Sequence, residues 1–156
     1  VVKSDHLDVG DSETRARLRH LLERLKDELG SAIEVQDDDG DLWVAWVRPM
    51  RPGALGFGWI YWGNADAGEV IFQLDLGGVR WELGRTPQDL EFVERLVHAL
   101  IDGTVHSIQA PHRARAVVTL PDGSQHKATT NTGLSGCLPM PFWTFWGQRT
   151  EHVAYR

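Results

Sequence analysis

The chain has 156 residues, 42% of them hydrophobic and 24% charged, with 16 basic against 22 acidic side chains and a net charge of −6 at pH 7. That length suffices for one domain with a substantial core, and the acidic balance disfavours non-specific attraction to nucleic acid or to an anionic membrane. Cys137 is the single cysteine, which excludes an intramolecular disulfide and fits a reducing compartment.

Residues 1–10 read as a poorly ordered lead-in. The start, Val1-Val2-Lys3-Ser4-Asp5-His6, lacks an apolar h-region and an initiator Met, so it reads as trimmed rather than targeted. No stretch approaches the roughly 20 apolar residues that span a bilayer, and a cytoplasmic location is expected. Asp11 or Ser12 can cap a helix running to about Leu29, with Leu18, Leu21, Leu22, Leu25 and Leu29 on one stripe. Arg19 with Glu23, and Arg24 with Glu28, stand four apart on its wet side. Gly30 supplies the left-handed stop. Ile33-Glu34-Val35 and Leu42 to Val47 flank an acidic Asp-Gly turn and predict a hairpin. A loop around Pro49, Pro52 and Gly53 leads to a strand at Phe57 to Trp62, and 63–68 turn the chain. Val70, Phe72 and Leu74 then alternate with Ile71 and Gln73, between Glu69 and Asp75. After Gly77-Gly78, Val79, Trp81 and Leu83 alternate with Arg80 and Glu82, which marks a second hairpin with one face inward.

Thr86, Pro87 and Asp89 form a complete start signal for a second helix. Its apolar face is Leu90, Val93, Leu96, Val97, Leu100 and Ile101, and Gly103 closes it. A short strand at 104–108 is followed by a hairpin, 114–120 with 125–130, around Pro121-Asp122-Gly123-Ser124. Thr129 to Gly136 reads as loop, and 151–155 as a returning edge strand. Residues 131–156 form a Trp/Pro-rich tail packed on the rest. The order predicts a single α+β domain over 1–156: a curved antiparallel sheet of about six to eight strands with two helices on one face. The pattern is not the alternation that builds a parallel nucleotide-binding sheet.

Catalytic and metal signatures fail in detail. Gly133-Leu134-Ser135-Gly136-Cys137 opens like a nucleophile elbow but lacks the final Gly and leads into prolines rather than a helix. Asp37, Asp39 and Asp41 have the alternate spacing of a calcium loop, yet its sixth position is Leu42 and its twelfth Arg48. The seven histidines show no HExxH spacing and no CxxC accompanies them, so no metal site and no cofactor are expected. Gly53 to Gly58 is glycine-rich but enters a strand, where a phosphate cradle needs a helix N-terminus. Cys137 has no basic partner nearby in sequence and reads as inert.

Seven tryptophans remain to be placed. Trp81 is in phase with Val79 and Leu83 and reads as core. Trp43 and Trp46 have opposite parity on one strand, as do Trp59 and Trp62, so some rings must lie on the second face of the sheet or at its rim. Trp143 and Trp146 follow in the proline-rich tail. Either other elements cover that face, or it is an exposed aromatic binding surface.

The stretch Val79-Arg80-Trp81-Glu82-Leu83-Gly84-Arg85, continuing through Thr86-Pro87-Gln88-Asp89-Leu90-Glu91-Phe92-Val93 to Ile101-Asp102-Gly103-Thr104-Val105, resembles small actinobacterial immunity proteins of polymorphic toxin systems. So does the hairpin Val118-Thr119-Leu120-Pro121-Asp122-Gly123. The resemblance implies a small, acidic, cytoplasmic, non-catalytic protein that blocks a co-encoded toxin domain by binding it. It carries no fixed residue motif.

The expected function is therefore a non-catalytic protein-binding module, an immunity protein that occludes a basic toxin domain, with neither nucleic acid nor membrane as partner. Asp37, Asp38, Asp39 and Asp41 are the expected source of charge, Trp143 and Trp146 the anchors, and Trp59 and Trp62 reserve anchors. The alternative is a small-molecule binder with an aromatic pocket for a sugar or nucleobase. A hydrolase with a dispersed site ranks behind both.

Overall fold

The computed structural model describes residues 9–63, 68–133 and 139–156. The architecture is α+β and open: helix α1 (Asp11–Leu29), strands β1 (Ile33–Asp39), β2 (Leu42–Pro49), β3 (Phe57–Gly63), β4 (Gly68–Leu74) and β5 (Arg80–Leu83), helix α2 (Pro87–Ile101), strands β6 (Val105–Ala110), β7 (Arg113–Thr119) and β8 (Gln125–Asn131), a single turn α3 (Trp143–Trp146) and β9 (Gln148–Glu151). Among the described residues the strands number nine rather than six to eight, and they divide into two antiparallel sheets, β1-β2-β3-β4-β5 and β8-β7-β6-β9. The division follows from α2. It carries the chain away from β5, so the second sheet starts afresh, and β5 lies beside β8 without a shared ladder.

α2 begins as its sequence dictates. The Thr86 hydroxyl accepts from Asp89 N–H, the Asp89 carboxylate accepts from Thr86 N–H, and Pro87 opens the first turn. Gly103 closes it at φ +72°, and a Cβ there would also come within 2.4 Å of the Ala154 nitrogen, so the returning tail requires glycine twice over. α1 departs from expectation at its start. Gly10 is the N-cap, with no side-chain cap, and Asp11 is already helical. The Asp11 carboxylate instead accepts from the Tyr61 hydroxyl at 2.6 Å and tethers the helix to β3.

The leucine stripe of α1, the apolar face of α2 and the inward faces of both sheets share one core. From the first sheet it takes Trp43, Ala45 and Val47, then Phe57, Trp59 and Tyr61, then Val70, Phe72 and Leu74, all fully buried. Trp43 and Trp59 meet edge to face at 5.9 Å. Trp81 is only partly buried, tilted against Phe72 at the seam between the sheets.

The tail returns earlier than expected. β9 pairs with β6 over residues 148–151, not 151–155, and the following residues bond onward to Val105, Gly53 and Ile101. Tyr155 is buried, and its hydroxyl donates to the Leu55 carbonyl at 2.6 Å. β8 includes Thr129 and Thr130, as the hairpin reading of 125–130 expects, and extends to Asn131, expected only as loop. The turn at 64–67, His6 in the lead-in, and Ser135 and Cys137 of the elbow-like stretch lie outside the described residues. No described helix is long and apolar enough to cross a membrane.

Candidate interaction surface

The acidic hairpin tip is not a free docking site, because α1 lies against it. Arg19 bonds Asp37 at 3.3 Å and also pairs with Asp39, while Arg15 reaches Asp39 at 3.1 Å and the carbonyls of Gly40 and Asp41. Asp37 further accepts from the Trp43 indole at 2.7 Å, and the Arg19 guanidinium lies over the Trp43 ring at 4.9 Å. Asp37 and Asp39 therefore clamp helix to hairpin, and their charge is largely spent inside the molecule. The pairing follows from parity: Asp37 and Asp39 share the inward face of β1 with Val35, the side on which α1 packs. Asp38 falls on the opposite face and Asp41 in the turn, and neither has an ion pair among the described residues.

The expected aromatic anchors divide in the same way. Trp59 is 0% exposed, beside Ala45 and Phe72 on the inward face, which removes it from any contact surface in this state. Trp143 is 8% exposed. It packs outside the main core on the outer face of the second sheet, where Ile108 and Val117 are also buried and Arg115 stacks on its ring at 5.3 Å. It pins the tail and leaves little of its ring free for a partner in this state. Trp146, 54% exposed, and Trp62, 44% exposed, do face solvent. Phe142 and Phe145 beside Trp146 are exposed too, 6.3 Å apart.

Trp62 belongs to the larger surface, the outer face of the five-stranded sheet. Alternation places Leu42, Val44 and Trp46 of β2, Ile60 and Trp62 of β3 and Ile71 of β4 there, and none of the six belongs to the core. The register sets Val44, Ile60 and Ile71 side by side in one row, with Leu42 beside Trp62 in the next. Trp46 stands opposite Gly58, where a Cβ would come within 2.2 Å of its ring, so glycine lets the indole lie flat on the sheet. Asp38, Asp41 and Glu69 edge this face without ion pairs among the described residues. Glu34 is paired with Arg48 at 3.7 Å and Glu82 with Arg80 at 2.8 Å. Five strands about 4.8 Å apart, rising about 3.3 Å per residue, give a face of roughly 500 Å². That falls short of the roughly 800 Å² per partner of a standard interface, so the patch is large enough for an interface centre and needs its acidic edge as rim.

Sequence reasoning noticed the conflicting parity of Trp43 with Trp46 but did not single out Trp46, Leu42, Val44, Ile60 or Ile71. Their alternation with buried partners was the available signal. A Ser–His pair was also missed: Ser107 Oγ lies 2.9 Å from His152 Nε2. Ser107 is fully buried, so the pair joins the tail to β6 and offers no hydroxyl to a substrate. Burial lowers the His152 pKa, against the opposing effect of a bond to Gly53. A cavity of about 640 Å³ at the seam between β5 and β8 has a single aromatic ring, Trp81, among polar side chains, which gives little support to an aromatic ligand pocket. Among the described residues no group of three or more His, Cys, Asp or Glu is placed to hold a metal ion. Comparison with protein-family models, with curated proteins and with solved structures finds no match for this chain.

Proposed function

We propose that this chain is a non-catalytic protein-binding module, an immunity protein that works in the cytoplasm by occluding a cognate, basic toxin domain. The observation that carries the binding part is the outer-face apolar set Leu42, Val44, Trp46, Ile60, Trp62 and Ile71, edged by Asp38, Asp41 and Glu69, which have no ion pair among the described residues. Leu42 and Trp62 are exposed and the other four half-buried, and an apolar set of this kind left outside the core of a regular sheet supports an interaction site. The acidic edge favours a basic partner by steering the encounter, and the rings supply the buried centre that dominates affinity. The toxin-inhibiting part rests on the resemblance of residues 79–105 and 118–123 to immunity proteins.

The test has two steps. The tagged chain is purified from its native host, and a stoichiometric partner is sought by mass spectrometry. The partner's isolated domain is then expressed with and without the chain. Growth arrest relieved by the wild-type chain but not by Trp62→Ala supports the proposal. A partner whose domain is harmless, or whose toxicity Trp62→Ala relieves as well as wild type, overturns it.

A further inference from the structure

The second sheet carries a cationic cavity on its own outer face. His106 on β6, Val117 on β7 and Lys127 on β8 stand in one row, and Ile108, Arg115 and Arg149 in the next. Strands about 4.8 Å apart, with same-face residues about 7 Å apart along each, leave Arg115 about 8–10 Å from both Lys127 and Arg149 at the backbone. Long side chains close that gap. All three line one cavity of about 310 Å³, together with His106 and with Thr144 from α3. Ile108 and Val117 form its apolar floor, 8% and 4% exposed.

In a chain of net charge −6, this gathers three fixed cations against one carboxylate, Glu151, which pairs with Arg149 at 3.0 Å. Arg115 is held in place by a bond to the Thr129 hydroxyl at 2.9 Å and by the Trp143 ring beneath it. Lys127 has no ion pair among the described residues. His106 is lowered in pKa first by burial and then by Arg149 and Lys127, with Glu151 opposing. An anion placed among these groups would relieve their mutual repulsion.

We infer that this cavity binds a dianionic phosphate group, free or carried on a small molecule. Three cations against one carboxylate leave two positive charges to match a phosphate, which carries about −1.5 to −2 at pH 7. A planar carboxylate is satisfied by one arginine fork, whereas a tetrahedral phosphate offers oxygens to cations arriving from three strands. The cavity sits at the low end of the roughly 300–1,000 Å³ range of ligand sites, and its apolar floor suits the carbon skeleton of a small phosphate monoester.

The test is an NMR titration of the His106 ring at constant pH and ionic strength with inorganic phosphate, with phenyl phosphate, and with chloride as control. Both phosphates should shift the ring saturably towards its protonated position, and chloride should not. Lys127→Gln should weaken that binding at least fivefold, while Arg48→Gln on the other sheet leaves it unchanged. Tighter binding of the monoester would identify a carried phosphate, and equal binding a free one. A linear response, an equal response to chloride, or wild-type binding by Lys127→Gln would overturn the inference.

Discussion

Trp59 and Trp62 stand three residues apart on β3, one fully buried and one 44% exposed, and truncating each separates folding from binding. A fully buried Trp ring removes about 150–250 Å² from water, worth about 4–6 kcal/mol at about 25 cal/mol per Å² as an upper estimate. Core Trp→Ala substitutions cost about 3–5 kcal/mol, so Trp59→Ala should lose that much of the about 5–15 kcal/mol that holds a typical domain. At about 2–4 °C per kcal/mol for a chain of this size, its Tm falls by about 6–20 °C. Trp62 lies on the outer face and is only partly covered, and Trp62→Ala should cost about 1 kcal/mol, near the centre of the distribution for point substitutions. Its effect on the partner should be larger, a loss of at least about 2 kcal/mol or about 30-fold in affinity, the scale of an interface anchor. Urea unfolding of both variants and calorimetry with the co-purified partner read the two effects. Equal destabilisation by both would show that the outer face is covered in solution and would refute the reasoning.

Arg19→Ala should free Asp37 and Asp39 and uncover the Trp43 ring, at a cost of about 1–2 kcal/mol from exposed ion pairs and one cation–π contact. The cost should shrink when urea unfolding is repeated at high salt. Tyr155→Phe leaves the Leu55 carbonyl without its donor and should cost about 1–3 kcal/mol by the same measurement. Burial lowers the His152 pKa, so its contribution to stability is present above the unfolded value of about 6.5 and is lost as pH falls through the folded pKa. Thermal unfolding between pH 7.5 and pH 5 should show this decline, and His152→Gln should flatten it.

Elements with complete local signals were legible. The start of α2 is contained in Thr86, Pro87 and Asp89, and the alternation of Val70, Phe72 and Leu74 indicates which side of β4 is buried. Charge pairing was not. Arg19 and Glu23 stand four apart on α1, but Arg19 bonds Asp37 and Asp39, Glu23 pairs with Lys26, and Arg24 reaches Glu94 on α2. A helical four-apart pair is worth only about 0.2–0.5 kcal/mol, so any acid that the fold brings near competes with it. The acidic tip looked free for the same reason: its neutralising arginines come from an element some 20 residues earlier. Trp143 and Trp146 differ by three positions and carried no signal to tell pin from exposed ring. The cations of the second sheet come from three strands, and only the β6–β7–β8 and β6–β9 registers bring them together.

On the proposed reading, the outer face of the five-stranded sheet receives the partner. Ile60 sits in the middle of that face, between Val44 and Ile71 and outside the core. Ile60→Arg places a cation where the account puts the centre of a contact with a basic protein, and calorimetry of this variant with the co-purified partner is the most direct measurement. The account predicts an unchanged fold by near-ultraviolet circular dichroism and a loss of affinity of more than about 100-fold, the scale of a charge buried unpaired at an interface. Wild-type affinity in a folded Ile60→Arg protein would contradict it.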